Sequence, residues 1–478
     1  MHTIDGIILL GYIVGVFVLA WWSGRDGTTQ SNNAAESKYL AGKSLTPLES
    51  LCSIIATEVS ALTFLGIPAL AFDTNFSFVQ IYIGAIVGRV IIAMVFLPKV
   101  YDSGLTVYEV MAKGIGLPSG QRTVAVMYSL SKILSVGVRL FSGCILVSAF
   151  LSISIYTGII LVTGLTFLYT LIGGLKAVAR TDIVQMGLFV GGGIVAHVLI
   201  PDVSGQEWGA MMETAANMGK TTIVDWGNPK PFVYGLLGGF LFDMATHGVD
   251  QDFVQRLTAG RSLKQGQWVI FLSSFLSIGM GLLFLSVGAL LFVYHQSVPL
   301  PEGFNSDHVF STFIVEHFPT GVQGLMVAGV LAATMSTLDS TINALCATLY
   351  NDILPKVSDA PAEQHLRNTS LISLALLLVA LIASGSDGML MLGLKIQSWT
   401  GGSLLGIFVA TVLLRKYIPV QLTPGSVLFA YTLGTIGVAI NVLHLDWNWN
   451  LNVYLGFGCS LLALWLWSKI YPNVQHSE

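Results

Sequence analysis

The sequence is poor in charge. Only 10% of its 478 residues are Asp, Glu, Lys or Arg, against roughly 25% in a soluble protein. With 54% apolar residues, such a chain is excluded from the soluble class. Cysteine is scarce as well. Cys52, Cys144, Cys346 and Cys459 all fall in apolar runs, at spacings that fit neither a disulfide framework nor a zinc site. They read as packing residues. No basic patch suits a nucleic acid, and a net charge of −4 selects no partner. Nucleophile elbow, phosphate loop and metal-hydrolase helix are all missing. An intramembrane enzyme would need a paired nucleophile and base, or a metal cluster, at depth, so the chain does not read as an enzyme. No basic region precedes the first apolar run, Gly6 to Trp22, and no small-residue cleavage site follows it. It reads as a retained span, not a signal peptide.

What the chain does have is a series of apolar runs of about 20 residues, the length that crosses a bilayer. Candidate spans lie at 6–22, 47–72, 76–98, 123–151, 156–172, 182–200, 232–253, 268–294, 321–349, 369–384, 389–414, 424–443 and 451–467. About 13 spans put the two termini on opposite sides. With the N-terminus outside, 16 of the 22 basic residues fall in cytoplasmic loops and only Lys220 and Lys230 in outer ones. That asymmetry predicts N-out, C-in. The remaining four, Arg89, Lys132, Arg139 and Lys395, lie inside spans. The outer loops 201–231 and 295–320 have room for short surface helices, and the tail after Trp467 is too short for a domain. The expectation is one transmembrane domain over 1–478, a multi-pass protein of the cell membrane, with the lipid bilayer as its surroundings and no obligatory protein partner evident.

The informative atoms are the polar ones inside these runs, because an ionisable group in a membrane is costly and usually faces a cavity or a partner. They are Glu58, Arg89, Lys132, Arg139, Asp182, Asp243, His247, Asp250, Asp339 and Lys395. Lys132 and Asp250 are the readiest to lie near the interface, where long side chains reach water. The run 331-LAATMSTLDSTIN-343 aligns Ser336, Asp339, Ser340 and Asn343 on one helix face. Several oxygens on one face suit a small hard cation, but one intact helix cannot surround an ion. A broken helix can supply the missing carbonyls. The run 56-ATEVSALTFLGIPAL-70 reads as such a break, with Thr57, Glu58, Ser60 and Thr63 followed by Gly66 and Pro68. The alternative is a continuous helix whose hydroxyls bond back to the backbone and which Pro68 kinks. A second interruption is expected in 232–253, where three glycines precede Asp243 and His247.

Four stretches in this order, 56-ATEVSALTFLGIPAL-70, 173-GGLKAVARTDIVQ-185, 248-GVDQDFVQRL-257 and 331-LAATMSTLDSTIN-343, resemble the sodium:solute symporter family, over about residues 6–467. The resemblance implies an all-α polytopic protein of the LeuT type. The first inverted repeat would be 47–200 and the second 232–414, with an extra helix at 6–22 and two more in 424–467. It also implies a main sodium site on the backbone oxygens of Ala56, Val59 and Ala333 and the hydroxyls of Ser336 and Thr337. A second cation site would use Asp182, Ser336, Asp339 and Ser340. Asp339 stands where the sialic acid type has serine, and could instead carry a proton or anchor its helix.

By the same resemblance the solute pocket would hold Glu58, Ser60, Thr63, Phe78, Tyr82, Arg139, Asp243 and His247. Arg139 matches an arginine that holds a carboxylate in sialic acid symporters, and a guanidinium fork suits that group. Tyr82 replaces a glutamine of that type, and Asp243 falls near an asparagine. Glu58 either tunes the ion site, titrates, or pairs with Arg139 as a fixed structural ion pair. Lys395 either contributes to the pocket or snorkels. The function implied is Na+-driven import of a small polar solute, with a preference for a carboxylate, across a bacterial inner membrane. Sugar or polyol symport, proton coupling through Glu58, Asp182 or Asp339, and a non-translocating sensor are the alternatives. A sensor would be expected to carry a fused signalling domain.

Overall fold

A computed structural model describes residues 2–27, 40–102, 106–113, 117–172, 175–354, 361–384, 389–418, 420–445 and 448–471. Among them the secondary structure is helical, apart from one isolated bridge between Leu45 and Gly260. Helices are what a bilayer demands, since every backbone N–H and C=O must find its partner within the segment. Eleven helices are long and apolar enough to span a membrane, and a bent pair, Pro47–Glu58 with Ala61–Asp73, adds one more. A shorter apolar helix covers Ile155–Leu171.

In chain order the main helices are α1 (Thr3–Gly27), α2 (Pro47–Glu58), α3 (Ala61–Asp73), α4 (Val79–Ile91), α5 (Pro118–Leu151), α6 (Ile155–Ile172), α7 (Leu175–Ser204), α8 (Lys230–Val249) and α9 (Gln251–Thr258). They continue with α10 (Leu263–Ser297), α11 (Val322–Thr348), α12 (Pro361–Ala383), α13 (Met389–Phe408), α14 (Pro424–Ile440) and α15 (Asn452–Ile470). Short helices Trp208–Asn217 and Val309–His317 occupy the two long loops. α11 is the centre of the bundle, with 94% of its apolar window buried, whereas α1 at the periphery has 22%. Asp5 of α1 is nonetheless fully buried. Its Oδ1 accepts from the N–H groups of Gly321 (2.6 Å) and Gly324 (2.9 Å), and so caps the start of α11.

The first break lies where the sequence read it, but for a more local reason. α2 opens with a capping box, Thr46 to Glu49, and Pro47 in its first turn. It ends at Glu58, where Val59 (φ −86°, ψ 72°) and Ser60 (φ −78°, ψ 176°) leave the helix. α3 restarts with the Ser60 carbonyl accepting from Thr63 and Phe64, and is bent by 53° from α2. Gly66 and Pro68 lie inside α3 and do not cause the break.

The second break lies inside the expected span 232–253, but at Asp250 and not at the glycines. α8 runs unbroken through Gly235, Gly238 and Gly239. Those glycines serve packing. A Cβ on Gly239 would stand 2.0 Å from the Ile81 carbonyl, and one on Gly84 would stand 2.1 Å from that of Leu236. Small residues let α4 and α8 touch backbone to backbone. The helix instead ends at Asp250 (φ −78°, ψ 121°), whose Oδ1 accepts from Asp252 N at 2.9 Å and caps α9.

Candidate solute and ion site

The two broken helices meet at a cavity of about 90 Å³. Its walls include Glu58 and Thr63 from the α2–α3 break, Phe78 and Tyr82 at the start of α4, and Arg139 of α5. Asp243 and His247 of α8 and Gln397 of α13 complete it. Seven of the eight expected pocket residues therefore line one space. Ser60 does not. It is buried, and the break holds it through its carbonyl.

Beside the cavity sits a closed set of charges. Arg89, fully buried on α4, donates from one terminal nitrogen to Glu58 Oε2 (2.8 Å) and from Nε to Asp243 Oδ1 (3.1 Å). Its other terminal nitrogen reaches the hydroxyls of Ser273 (2.8 Å) and Ser277 (3.1 Å) on α10. Ser277 also donates to Glu58 at 2.7 Å. His247 Nδ1 lies 2.9 Å from Asp243 Oδ1, and its Nε2 lies 3.4 Å from the Arg89 nitrogen. Buried charges persist only when paired and hydrogen-bonded, and Arg89 meets that demand on every nitrogen. Of the alternatives open for Glu58, the pair with Arg139 is thus corrected. The partner of Glu58 is Arg89, an arginine the sequence displayed but gave no role.

Arg139 is left differently. One terminal nitrogen donates to Gln397 Oε1 at 2.8 Å, a neutral acceptor, and its buried Nε has no partner among the described residues. A guanidinium beside a cavity with unused donors can take an anionic ligand. Across the same cavity, Asp243 Oδ2 is also buried without a partner.

Of the residues expected at the main ion site, Ala56 and Val59 lie at the end of α2 and Ala333, Ser336 and Thr337 in the middle of α11, and these two helices pack against each other. Thr337 Oγ1 is buried without a partner, as a cation ligand would be. The carbonyls of Ala56 and Val59 lie at the open C-terminal end of α2, and Ala333 is buried on α11. Ser336 Oγ donates to Asp182 Oδ1, and Ser53 Oγ donates to Asp182 Oδ2 at 2.5 Å. Asp182 therefore joins α7 to both α2 and α11. The other residues assigned to a second site turn elsewhere. Asp339 Oδ1 accepts from Asn343 at 3.1 Å while its Oδ2 has no partner. Ser340 Oγ donates to the Thr337 carbonyl at 3.0 Å and lies 3.4 Å from Asp252.

Linked to Asp182 through Ser53 is a second charge lattice. Arg256 donates from Nε to Ser53 Oγ (2.9 Å) and from a terminal nitrogen to Asp252. Lys132 lies 2.7 Å from Asp250 and 3.1 Å from Asp252, and Tyr128 donates to Asp250 at 2.8 Å. Lys132 and Asp250 were expected to reach interfacial water. Both are buried and paired with each other, because α9 folds Asp250 back under α5. Asp252 and Arg256 were outside every candidate site in the sequence. Their signal was present in 248-GVDQDFVQRL-257, but not their depth.

The sodium:solute symporter family model matches residues 39–434. A sodium/sialic acid symporter, SiaT, from Proteus mirabilis is 27% identical over 475 residues, covering 91% of this chain and 92% of that one. A sodium/glucose cotransporter from Vibrio parahaemolyticus is 25% identical, covering 87% and 82%. The solved substrate-bound, outward-open structure of a Na+-coupled sialic acid symporter superimposes with a TM-score of 0.85 at 22% identity, covering 99% of both chains.

Proposed function

The chain belongs to the sodium:solute symporter family, and from that premise we propose that it imports a small carboxylate-bearing solute, with Arg139 as the residue that holds the carboxylate. The LeuT-type, all-helical fold and Na+-coupled symport are common to the family. The solute is the part specific to this chain. What carries the reading is the state of Arg139. Its Nε is buried without a partner at the cavity, while the nearby acids Glu58 and Asp243 are already held by Arg89. Asp243 Oδ2 would accept from a hydroxyl or ammonium on the same solute. Sialic acid meets that description, and so do smaller hydroxy and amino acids.

The main sodium site in this reading is made by the carbonyls of Ala56, Val59 and Ala333 with Ser336 and Thr337. A second would be built on Asp182 and Ser336, and Asp339 and Ser340 would join it only by leaving their present partners Asn343 and Thr337. The repeats 47–200 and 232–414 rock about these sites, with the N-terminus outside and C-terminus inside, as the loop charges favour. Stoichiometry matters for a carboxylate. One Na+ with a monoanion moves no net charge. A second Na+ makes the cycle electrogenic, worth about 2.3 kcal/mol per 100 mV.

The test is thermal melting of the purified protein in Na+ or K+ against carboxylates, amino acids and neutral sugars. A ligand that binds only the folded state raises the melting temperature. A carboxylate that stabilises only in Na+, and no longer does so in Arg139→Ala, is the expected outcome. Stabilisation by a neutral sugar that survives Arg139→Ala would sink the proposal.

A further inference from the structure

Lys395 has no part in the site described above. α13 turns Leu390, Leu394 and Gln397 to the solute cavity. Lys395 is two residues from Gln397, about 200° away around the helix, and lines a separate crevice on the opposite side of α13 with Leu392, Ile396 and Trp399. The crevice has a volume of about 600 Å³ and is closed by Leu134 of α5 and by Asn448, Trp449 and Asn452 at the start of α15. Leu134 is 50% exposed and Trp399 36%. The opening therefore faces sideways out of the bundle, where the hydrocarbon lies.

The lysine itself is exposed, and its ammonium makes no hydrogen bond or ion pair with any described residue. It stands six residues into α13, about 9 Å from the helix start. An ammonium at that depth has two ways to stay charged, reaching up to water or pairing with an anion. A lateral crevice of this size fills with lipid in a membrane. Its mouth carries the indole of Trp449, just before α15, a residue type that settles at headgroup level. Ile396 and Trp399 of α13, deeper than Lys395, and Leu134 in the middle of α5 give an apolar wall.

We propose that this crevice is a binding site for an anionic phospholipid, with the phosphodiester on Lys395, the headgroup beside Trp449 and an acyl chain along Ile396, Trp399 and Leu134. A zwitterionic lipid has the same phosphodiester but carries its own cation, which competes with Lys395. Selectivity for net-negative lipid is therefore the signature of the site, and simple filling of the crevice by acyl chains would lack it.

The experiment uses the full-length protein in nanodiscs of phosphatidylcholine with phosphatidylglycerol titrated in. Retained lipid is measured by native mass spectrometry and stability by melting temperature. One phosphatidylglycerol should be retained per chain with about fivefold preference over phosphatidylcholine, the scale of one lysine at an anionic surface. Lys395→Gln should remove that preference and its stabilising shift, while Lys230→Gln, at an exposed lysine that opens α8, should leave both intact. Inorganic phosphate added to the detergent-solubilised wild type should give no shift. Equal retention of the two lipids by the wild type overturns the proposal. So does an unchanged preference in Lys395→Gln, or a phosphate shift as large as that of the lipid, which would make the site one for free anions. The wild-type arms stand even if the variant folds poorly.

Discussion

Two arginines flank the same cavity and differ in what surrounds them. Arg89 is saturated by Glu58, Asp243, Ser273 and Ser277. Among the described residues, Arg139 hydrogen-bonds through its side chain to the neutral Gln397 alone and its Nε has no partner. A guanidinium held by two carboxylates holds four helices in place, because it joins the α2 break to α4, α8 and α10. A guanidinium held by one amide has its charge still to spend on a ligand. Residue type and membrane depth do not separate these roles. The partners do.

The largest effect expected from breaking this contrast is on Arg89. Arg89→Ala leaves Glu58 and Asp243 buried without their cation. Breaking a buried pair in this way costs roughly 3–5 kcal/mol, so the variant should melt far below the wild type or fail to purify as a monodisperse protein. A variant with unchanged melting would mean that Arg89 is not the strut inferred here. Arg139→Ala should do the reverse. Its melting in Na+ alone should stay near that of the wild type. Its affinity for the carboxylate solute should fall by about 100-fold, the upper range for one charged hydrogen-bonding group, measured by equilibrium binding. Gln397→Glu sharpens the comparison further, since it gives Arg139 a carboxylate and so makes it resemble Arg89. It should suppress carboxylate binding about as strongly as Arg139→Ala while leaving the protein folded.

The ion site follows at smaller scale. Thr337→Ala removes a hydroxyl that has no protein partner. It should raise the half-saturating Na+ concentration about tenfold, the cost of one hydrogen-bonding or ligating oxygen to a charged group, with melting in K+ unchanged. Ser336→Ala is a less pure probe, because Ser336 also holds Asp182. It should lower stability even in K+. If Thr337→Ala keeps its sodium dependence, the assignment of that hydroxyl fails.

How much of this was legible in the sequence follows from what each feature depends on. The α2–α3 break is a local property of hydroxyl and carboxyl residues in an apolar run, and it was read at the right place. The α8–α9 break was expected within 232–253 and lies there, yet the three glycines that drew attention to it serve packing and the helix runs whole through them. What ends α8 is Asp250 capping the next helix, a signal that Asp-x-Asp carried and that the glycines obscured. The pairing of Glu58 was out of reach. Arg89 and Arg139 were both intramembrane arginines, and only the rotation of α4 against α8 brings Arg89 onto Glu58. That rotation is set by Gly84 and Gly239, whose purpose is visible only once the two backbones are in contact. Lys132 and Asp250 were misjudged for a related reason. Distance along a span measures depth in the bilayer, but not distance from the bundle axis.

The smallest effect belongs to Gln397→Ala, and it tests the contrast most finely. If Arg139 is a ligand-binding group, Gln397 only orients it, and removing one neutral hydrogen bond should weaken carboxylate affinity about threefold to tenfold. The cavity wall also loses part of a side chain, so neutral solutes should gain or lose little. If Arg139 were instead a strut like Arg89, the loss of its one side-chain acceptor, 2.8 Å away, would leave a desolvated guanidinium with nothing to hold it. The melting temperature would then fall and affinity would follow it down. The two cases separate on melting measured without solute. An unchanged value with weaker carboxylate binding keeps Arg139 as the recognition group, and a lowered value moves it into the scaffold beside Arg89.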